Sequence, residues 1–461
     1  MSGFERHMSD ADALMWHIEK DPILRSTIVA VGILDRTPEW DRLRERFLRA
    51  SIAIPRFRQR VISPPLRIGP PRWAYEPDFD LNFHLKRFTV AAPGTHRQLL
   101  DAIAPIAQSS FDRARPLWEC TILDGLEGGQ AAMVMKVHHS VTDGVGGVEL
   151  LTQLVDLERD APERLKNRVA PSGEFFDSGS LIRESVAHTT RRWLGIGRRV
   201  PGTIVRTTSA AARNPLGSAL DATATARSIG KTLAPATAPM SSIMTQRGMG
   251  RWLATFDLAL DDLKRAAKVA EGSINDAFVA GACGGLARYH ERHGAAVEWL
   301  RMTMPINIRT EGASTAGNQF APARFPVPTA IDDPVERMQA LRELVLSWRG
   351  EPALGLTGTL AGVLNRLPTQ TTTAFFGGML KCVDFVTSNV PGSPLPVFVA
   401  GAAVERFYAF GPPSGAAVNI TLMSHIDTCC IGVVVDTAAV PDPEALLADL
   451  RAGFDEITAL A

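Results

Sequence analysis

Cysteine is scarce in this chain, and its spacing removes whole classes of function. The five cysteines, Cys120, Cys283, Cys382, Cys429 and Cys430, form no C-x-x-C pair and are odd in number. Zinc-finger and disulfide-scaffold readings fail on that count, and reduced cytosolic thiols are the simpler account. An excess of one charge sign is missing too. The 49 basic residues face 49 acidic ones, which gives no global reason to expect nucleic acid as a partner. No run of 18 apolar residues occurs: the best attempt, near 352–380, is broken by Asn365, Arg366, Pro368 and Gln370, so nothing reads as a bilayer span. The N-terminal stretch carries charges throughout and lacks an apolar h-region, so it does not read as a secretory signal. Gly230-Lys231-Thr232 imitates the end of a phosphate-binding loop, but the glycine required five positions earlier is Thr225. No G-x-S-x-G occurs, which argues against a serine esterase of the α/β-hydrolase type.

What is present is length and apolar patterning. With 461 residues, 45% of them hydrophobic, two domains are the natural expectation. Residues 27–34 read as a buried strand, 39–50 and 96–110 as helices, and 131–137 as a central strand covered on both faces and ending at His138. A helix is expected over 148–158. From 185 to 256 there are ten Lys/Arg against one acid, Asp221, among frequent Ser, Thr, Ala, Gly and Pro. This stretch reads as a partly helical connection. Periodic structure then returns: a helix over 273–293, opened by Ser273 and Asp276 at capping-box spacing, a strand over 298–304, a helix over 333–348, a strand over 382–388, several strands over 397–435 and a closing helix over 443–453. Strands and helices mix without regular alternation. That favours an α+β arrangement of two sandwiches over a doubly wound sheet, with boundaries at 1–165, 166–250 and 251–461.

The motif that carries chemistry is HHSVTDG, residues 138–144. Histidine is rare here, ten in all, and this pair stands where a buried strand gives way to a turn, rigidly held yet able to reach a cleft. An imidazole titrates near neutrality, so His139 could accept a hydroxyl proton at working pH. Asp143, ahead of Gly144, could hold the local backbone by pairing with an arginine, for which Arg309 is a candidate. Two other readings stay open from these residues alone: both histidines as hydrogen-bonded core, or His139 and Asp143 as metal ligands, the latter weaker because no second ligand cluster is evident.

HHSVTDG resembles the active-site motif of the coenzyme A-dependent acyltransferase superfamily, which includes chloramphenicol acetyltransferase and the condensation domains of peptide synthetases. More specifically, the chain resembles the bacterial wax ester synthase/acyl-CoA:diacylglycerol acyltransferase family over nearly its whole length. DRARPLWE at 112–119, SINDAF at 273–278, PINIR at 305–309 with Gly317-Asn318, and SNVPG at 388–392 match family elements in order and spacing. The resemblance implies two chloramphenicol-acetyltransferase-like sandwich domains with a tunnel at their interface. It implies His139 as base, His138 in support and Asp143 in a structural role. Asn275, in the first turn of its helix, would be an oxyanion donor or simply a polar first-turn residue. Gly144, Pro116, Leu117, Trp118, Glu119, Ser388 and Asn389 would border the substrates, with Trp118 as core the competing reading. Acyl-CoA is then a substrate, no cofactor is implied, and the acceptor is diacylglycerol or a long-chain alcohol. A condensation-type enzyme fed by a carrier protein and a catalytically idle lipid-binding paralogue are the alternatives.

The chain departs from the family at Pro239-Met240-Ser241, usually Pro-Leu-Asn. It departs again at Ser424, His425, Ile426 and Asp427, where many members have Tyr-Gly. The expected location is cytoplasmic and peripheral, on the inner membrane face or on lipid inclusions, with the basic 185–256 stretch as the attachment.

Overall fold

The computed structural model describes residues 6–65, 69–141, 152–162, 169–191, 236–307, 320–349, 351, 361–362, 364–365 and 368–461. The first half contains α1 (Asp10–Ile18), β1 (Thr27–Leu34), α2 (Trp40–Ala53), β2 (Gln59–Ile62), β3 (Arg72–Tyr75), the short α3 (Leu81–His84), β4 (Leu85–Thr89), α4 (His96–Gln108), β5 (Trp118–Asp124) and β6 (Ala131–His138). The second contains β7 (Arg251–Ala259), α5 (Leu260–Val269), α6 (Ile274–Arg292), β8 (Trp299–Asn307), β9 (Phe320–Pro328), α7 (Pro334–Arg349), α8 (Thr369–Lys381), β10 (Phe385–Val390), β11 (Phe398–Val399), β12 (Ala402–Phe410), β13 (Val418–His425), β14 (Thr428–Asp436) and α9 (Pro443–Thr458).

Two six-stranded mixed sheets form, in the orders β11-β12-β1-β6-β5-β4 and β7-β14-β13-β10-β8-β9. In the first, all eight residues of β6 are buried. Alternate side chains of such a strand point to opposite faces, so both faces are covered. On one, Met133 and Met135 pack with Phe47 of α2; on the other, Val134 packs with Leu99 and Ile103 of α4 and with Cys430 and Val434 of the second sheet. The second sheet is backed by α5, α6, α7 and α9 in one large apolar cluster. Gly285 and Gly453 let α6 and α9 touch at the backbone: a Cβ at Gly453 would lie 2.3 Å from the Gly285 nitrogen.

Strand β1 and helix α6 fall where the sequence pattern puts them. Ser273 caps α6 with its hydroxyl toward the Asp276 N–H, and the Asp276 carboxylate returns a bond to the Ser273 N–H at 2.8 Å, the reciprocal box expected from spacing. The helix expected over 148–158 is described only at 152–154 and does not reach 158. Asp156 pairs in extended fashion with Phe398 and is held by Arg46. The strand expected from 382 begins at 385, because the buried Asp384 carboxylate accepts backbone N–H groups from Met240, Ser241 and Arg301. The segment 251–461 does not stay within one sheet. Residues of β11 and β12 cross back and complete the first sheet, β12 pairing antiparallel with β1 from Val29↔Phe410 to Leu34↔Val404. Most of the expected connection, 192–235, lies outside the described residues. Its described parts are a helical run at 178–191 and an irregular approach to β7.

Candidate active site

His138 ends β6, and a single 3-10 turn, His139–Val141, follows. His138 is 1% exposed, and both ring nitrogens are engaged. Nε2 lies 2.9 Å from Glu19 Oε1, while Nδ1 lies 2.7 Å from the Ser140 hydroxyl and 3.1 Å from the Ser140 nitrogen. The rings of Trp16 and Phe111 meet the imidazole edge-on. His139 keeps accessible surface, being half-buried, and its backbone N–H donates to the Ser26 carbonyl at 2.9 Å. The two histidines are therefore in different situations: one is locked into the interior, the other is presented at the turn.

Glu19 follows α1 and is largely buried. Burial alone would raise its pKa. The hydrogen bond from His138, the Ser26 N–H at 2.6 Å and the Arg113 guanidinium outweigh that, and hold it below the ordinary carboxylate value. Nothing in the sequence ties residue 19 to residue 138. Its only local signal is an acid closing an amphipathic segment, so sequence reasoning missed it, and missed Ser26 and Ser140 as partners.

The other expected residues are distributed as follows. Asp143, Gly144 and Arg309 lie outside the described residues. Asn275, half-buried in the first turn of α6, puts its side-chain nitrogen 3.6 Å from the Met304 sulfur on β8. Ser388 is half-buried and Asn389 exposed, both on β10, which runs parallel to β8 and β13. The channel wall expected at Pro116–Glu119 is corrected by the packing. Leu117 and Trp118 have no accessible surface. The Trp118 indole is stacked between Phe57 and His84, at 4.5 and 4.6 Å between ring centres, and donates to the Phe57 carbonyl at 2.9 Å. That is the environment of a core residue. Pro116 is buried as well, and Glu119 is committed to Lys86 at 2.6 Å and to the fully buried Lys136 at 3.5 Å. The segment still reaches the site through its backbone, since the Leu117 carbonyl accepts the His138 N–H at 3.0 Å.

The atypical 424–427 segment is the tight turn between β13 and β14, with Ile426 at φ +55°. The Ser424 hydroxyl accepts the Gly392 N–H at 3.3 Å, and the Ile426 N–H donates to the Ser393 carbonyl at 2.9 Å. His425 Nε2 lies 3.0 Å from the Val404 carbonyl of β12. The segment thus anchors the loop that follows Ser388 and Asn389.

The profile of the wax ester synthase/diacylglycerol acyltransferase catalytic domain matches residues 8–278, and that of the WS/DGAT C-terminal domain matches 316–458. A Mycobacterium tuberculosis protein, provisionally named a diacylglycerol O-acyltransferase, is 39% identical over 464 residues, spanning 100% of this chain and 94% of its own. A second from the same organism, named in the same way, is 29% identical over 405 residues, spanning 86% and 83%. Among solved structures, a wax ester synthase/diacylglycerol acyltransferase from Marinobacter aquaeolei VT8 superposes with a TM-score of 0.62 at 20% identity, over 98% of both chains. The first condensation domain of the calcium-dependent antibiotic synthetase does so with 0.61 at 15% identity, over 99% of this chain and 96% of its own. At such identities these likenesses speak for the fold, the pair of chloramphenicol-acetyltransferase-like sandwiches.

Proposed function

The chain belongs to the wax ester synthase/diacylglycerol acyltransferase family, and from that premise we propose that it moves a fatty acyl group from acyl-coenzyme A to diacylglycerol or a long-chain alcohol. His139 takes the hydroxyl proton as the alcohol oxygen attacks the thioester carbonyl. The C–O bond forms, the C–S bond breaks, and coenzyme A leaves as a thiolate that recovers the proton from His139. No covalent acyl-enzyme and no cofactor are required. Asn275 donates to the oxyanion, Asp143 holds the turn, and Gly144, Ser388 and Asn389 border the substrates. The observation that supports this reading is the contrast between neighbours: His138 is buried with both ring nitrogens hydrogen-bonded, whereas His139, on the turn that follows, keeps accessible surface.

The rival is a condensation-type enzyme whose acyl group is delivered on a carrier protein. Turnover of free acyl-CoA by the purified chain, over a panel of acceptors, separates the two. In that assay His139→Ala should lose about 100- to 10,000-fold in rate while staying folded. A folded variant keeping half the rate would remove His139 from the mechanism.

Such substrates partition into lipid, and among the described residues no helix is long and apolar enough to cross a membrane. We place a peripheral attachment at the basic 185–256 stretch with Trp193, Leu194 and Ile196, while Trp252, the fourth apolar residue expected there, is paired in β7 and packs against the second core instead. Replacing Arg191, Arg192, Arg198 and Arg199 with Gln should weaken flotation with anionic liposomes. Flotation insensitive both to those changes and to salt would assign the anchor elsewhere.

A further inference from the structure

One carboxylate oxygen lies behind the whole turn that carries His139. Glu19 Oε1 receives the Ser26 N–H at 2.6 Å and the His138 Nε2 at 2.9 Å. The carbonyl of the same Ser26 receives the His139 N–H at 2.9 Å. On the other side of the ring, the Ser140 N–H points at His138 Nδ1 from 3.1 Å. A backbone N–H can only donate, so Nδ1 must offer a lone pair, and the proton of a neutral imidazole is then on Nε2. An ionised carboxylate, which can only accept, is the partner that selects this tautomer. The opposite tautomer would turn an N–H on Nδ1 against the Ser140 N–H and leave Nε2 facing the carboxylate with two lone pairs opposed.

We infer that Glu19 is a positioning residue for His139: it fixes His138 as the Nε2–H tautomer and, through Ser26 and Ser140, fixes the backbone on both sides of His139. The inference rests on His139 acting as the base. It assigns Glu19 no contact with substrate. Its surroundings suit the task, since the carboxylate is 9% exposed, and Arg113 approaches its second oxygen at 3.8 Å while lying over the Trp16 ring. The negative charge is retained in a place that water hardly reaches.

Two variants grade the effect. Glu19→Gln removes the charge and sets there an amide whose NH2 can face Nε2 as its oxygen can; Glu19→Ala removes both bonds. With KM within about twofold of wild type, kcat should fall about tenfold for Gln and about 100-fold for Ala, the scale seen when a histidine loses the partner that orients it. A merely structural role would not alter the ring's proton. The second measurement is therefore the imidazole 15N spectrum of the full chain labelled in histidine, with the His138 signals assigned from His138→Gln. Wild type should show the Nε2–H tautomer, and Glu19→Gln a mixture. Support requires both kcat and tautomer to move in the Gln variant, which is close in shape to the original and is the one to rely on if Ala does not fold. Either one staying at its wild-type value overturns the inference, as does a wild-type Nδ1–H tautomer. The spectrum is independent of turnover, so a failure of His139 as base, read from His139→Ala, is distinguishable from a failure of Glu19.

Discussion

His84 lies flat against the Trp118 indole with no accessible surface. Its Nδ1–H donates to the Trp118 carbonyl at 2.7 Å, and Nε2 meets no hydrogen-bond partner among the described residues. A second proton would sit in an apolar stack without an acceptor. Burial therefore lowers the pKa from 6.5 to about 4, against the smaller opposing pull of the Trp118 carbonyl and of Glu119. Between those values the unfolded chain binds a proton that the folded chain refuses. Stability from this group is complete above the unfolded value, is lost as pH falls toward 4, and changes no further below it. The full loss is about 3 kcal/mol. His84→Gln should flatten the fall of melting temperature between pH 7 and pH 4. His7, also held down to about 4, acts on both proteins alike and cancels in the comparison. Identical slopes would mean that His84 titrates in the folded chain as it does in water.

At the scale of an element, α6 separates two roles that its sequence leaves mixed. The cap of its first turn is made by Ser273, which accepts the Asp276 N–H, and by Asp276, which accepts the Ser273 N–H, and Asn275 takes no part in it. Ser273→Ala should then cost about 1 kcal/mol of stability, the usual worth of an N-cap, with little change in kcat. Asn275→Ala should do the reverse, lowering turnover about 100- to 1,000-fold if it donates to the oxyanion, with the melt nearly unmoved. A large drop in melting temperature for Asn275→Ala would put the residue back among structural ones. The cap was legible in the sequence because its two halves are three residues apart. So were β1 and β6, whose apolar runs report burial on both faces. The partnership of Glu19 with His138 spans 119 positions and has no local signature. Nor does Trp118 announce which side of a strand it packs on; only its place between Phe57 and His84 settles that. The passage of β11 and β12 into the first sheet was hidden for the same reason, since the pattern of a strand does not name its neighbour.

For the whole molecule that exchange is one of the contacts that join the halves. β12 belongs to the first sheet, yet its Tyr408 hydroxyl donates to Asp257 of β7 at 2.8 Å, and its Arg406 pairs with the same carboxylate at 2.6 Å. Beside them His96 of α4 meets the Thr255 hydroxyl of β7 at 2.6 Å. Below this polar seam the sheets come into backbone contact, because residue 432 of β14 is glycine: a Cβ there would lie 2.3 Å from the Ala409 carbonyl oxygen. That oxygen belongs to a strand pinned by β1, so it has little freedom to yield. Gly432→Ala must separate the sheets by a fraction of an ångström or bend β14, at about 1–3 kcal/mol. The residues proposed for chemistry come from both sides, His139 from the first half and Asn275 and Ser388 from the second. A shift of the seam therefore reaches them without touching any one, and displacements near 1 Å can cost about 100-fold in rate. Gly432→Ala should accordingly lose activity out of proportion to its change in denaturation midpoint, while Ala409→Gly in the same background should restore little, since the clash is with a backbone oxygen. Wild-type turnover and midpoint in Gly432→Ala would show that the sheets are not held at this contact.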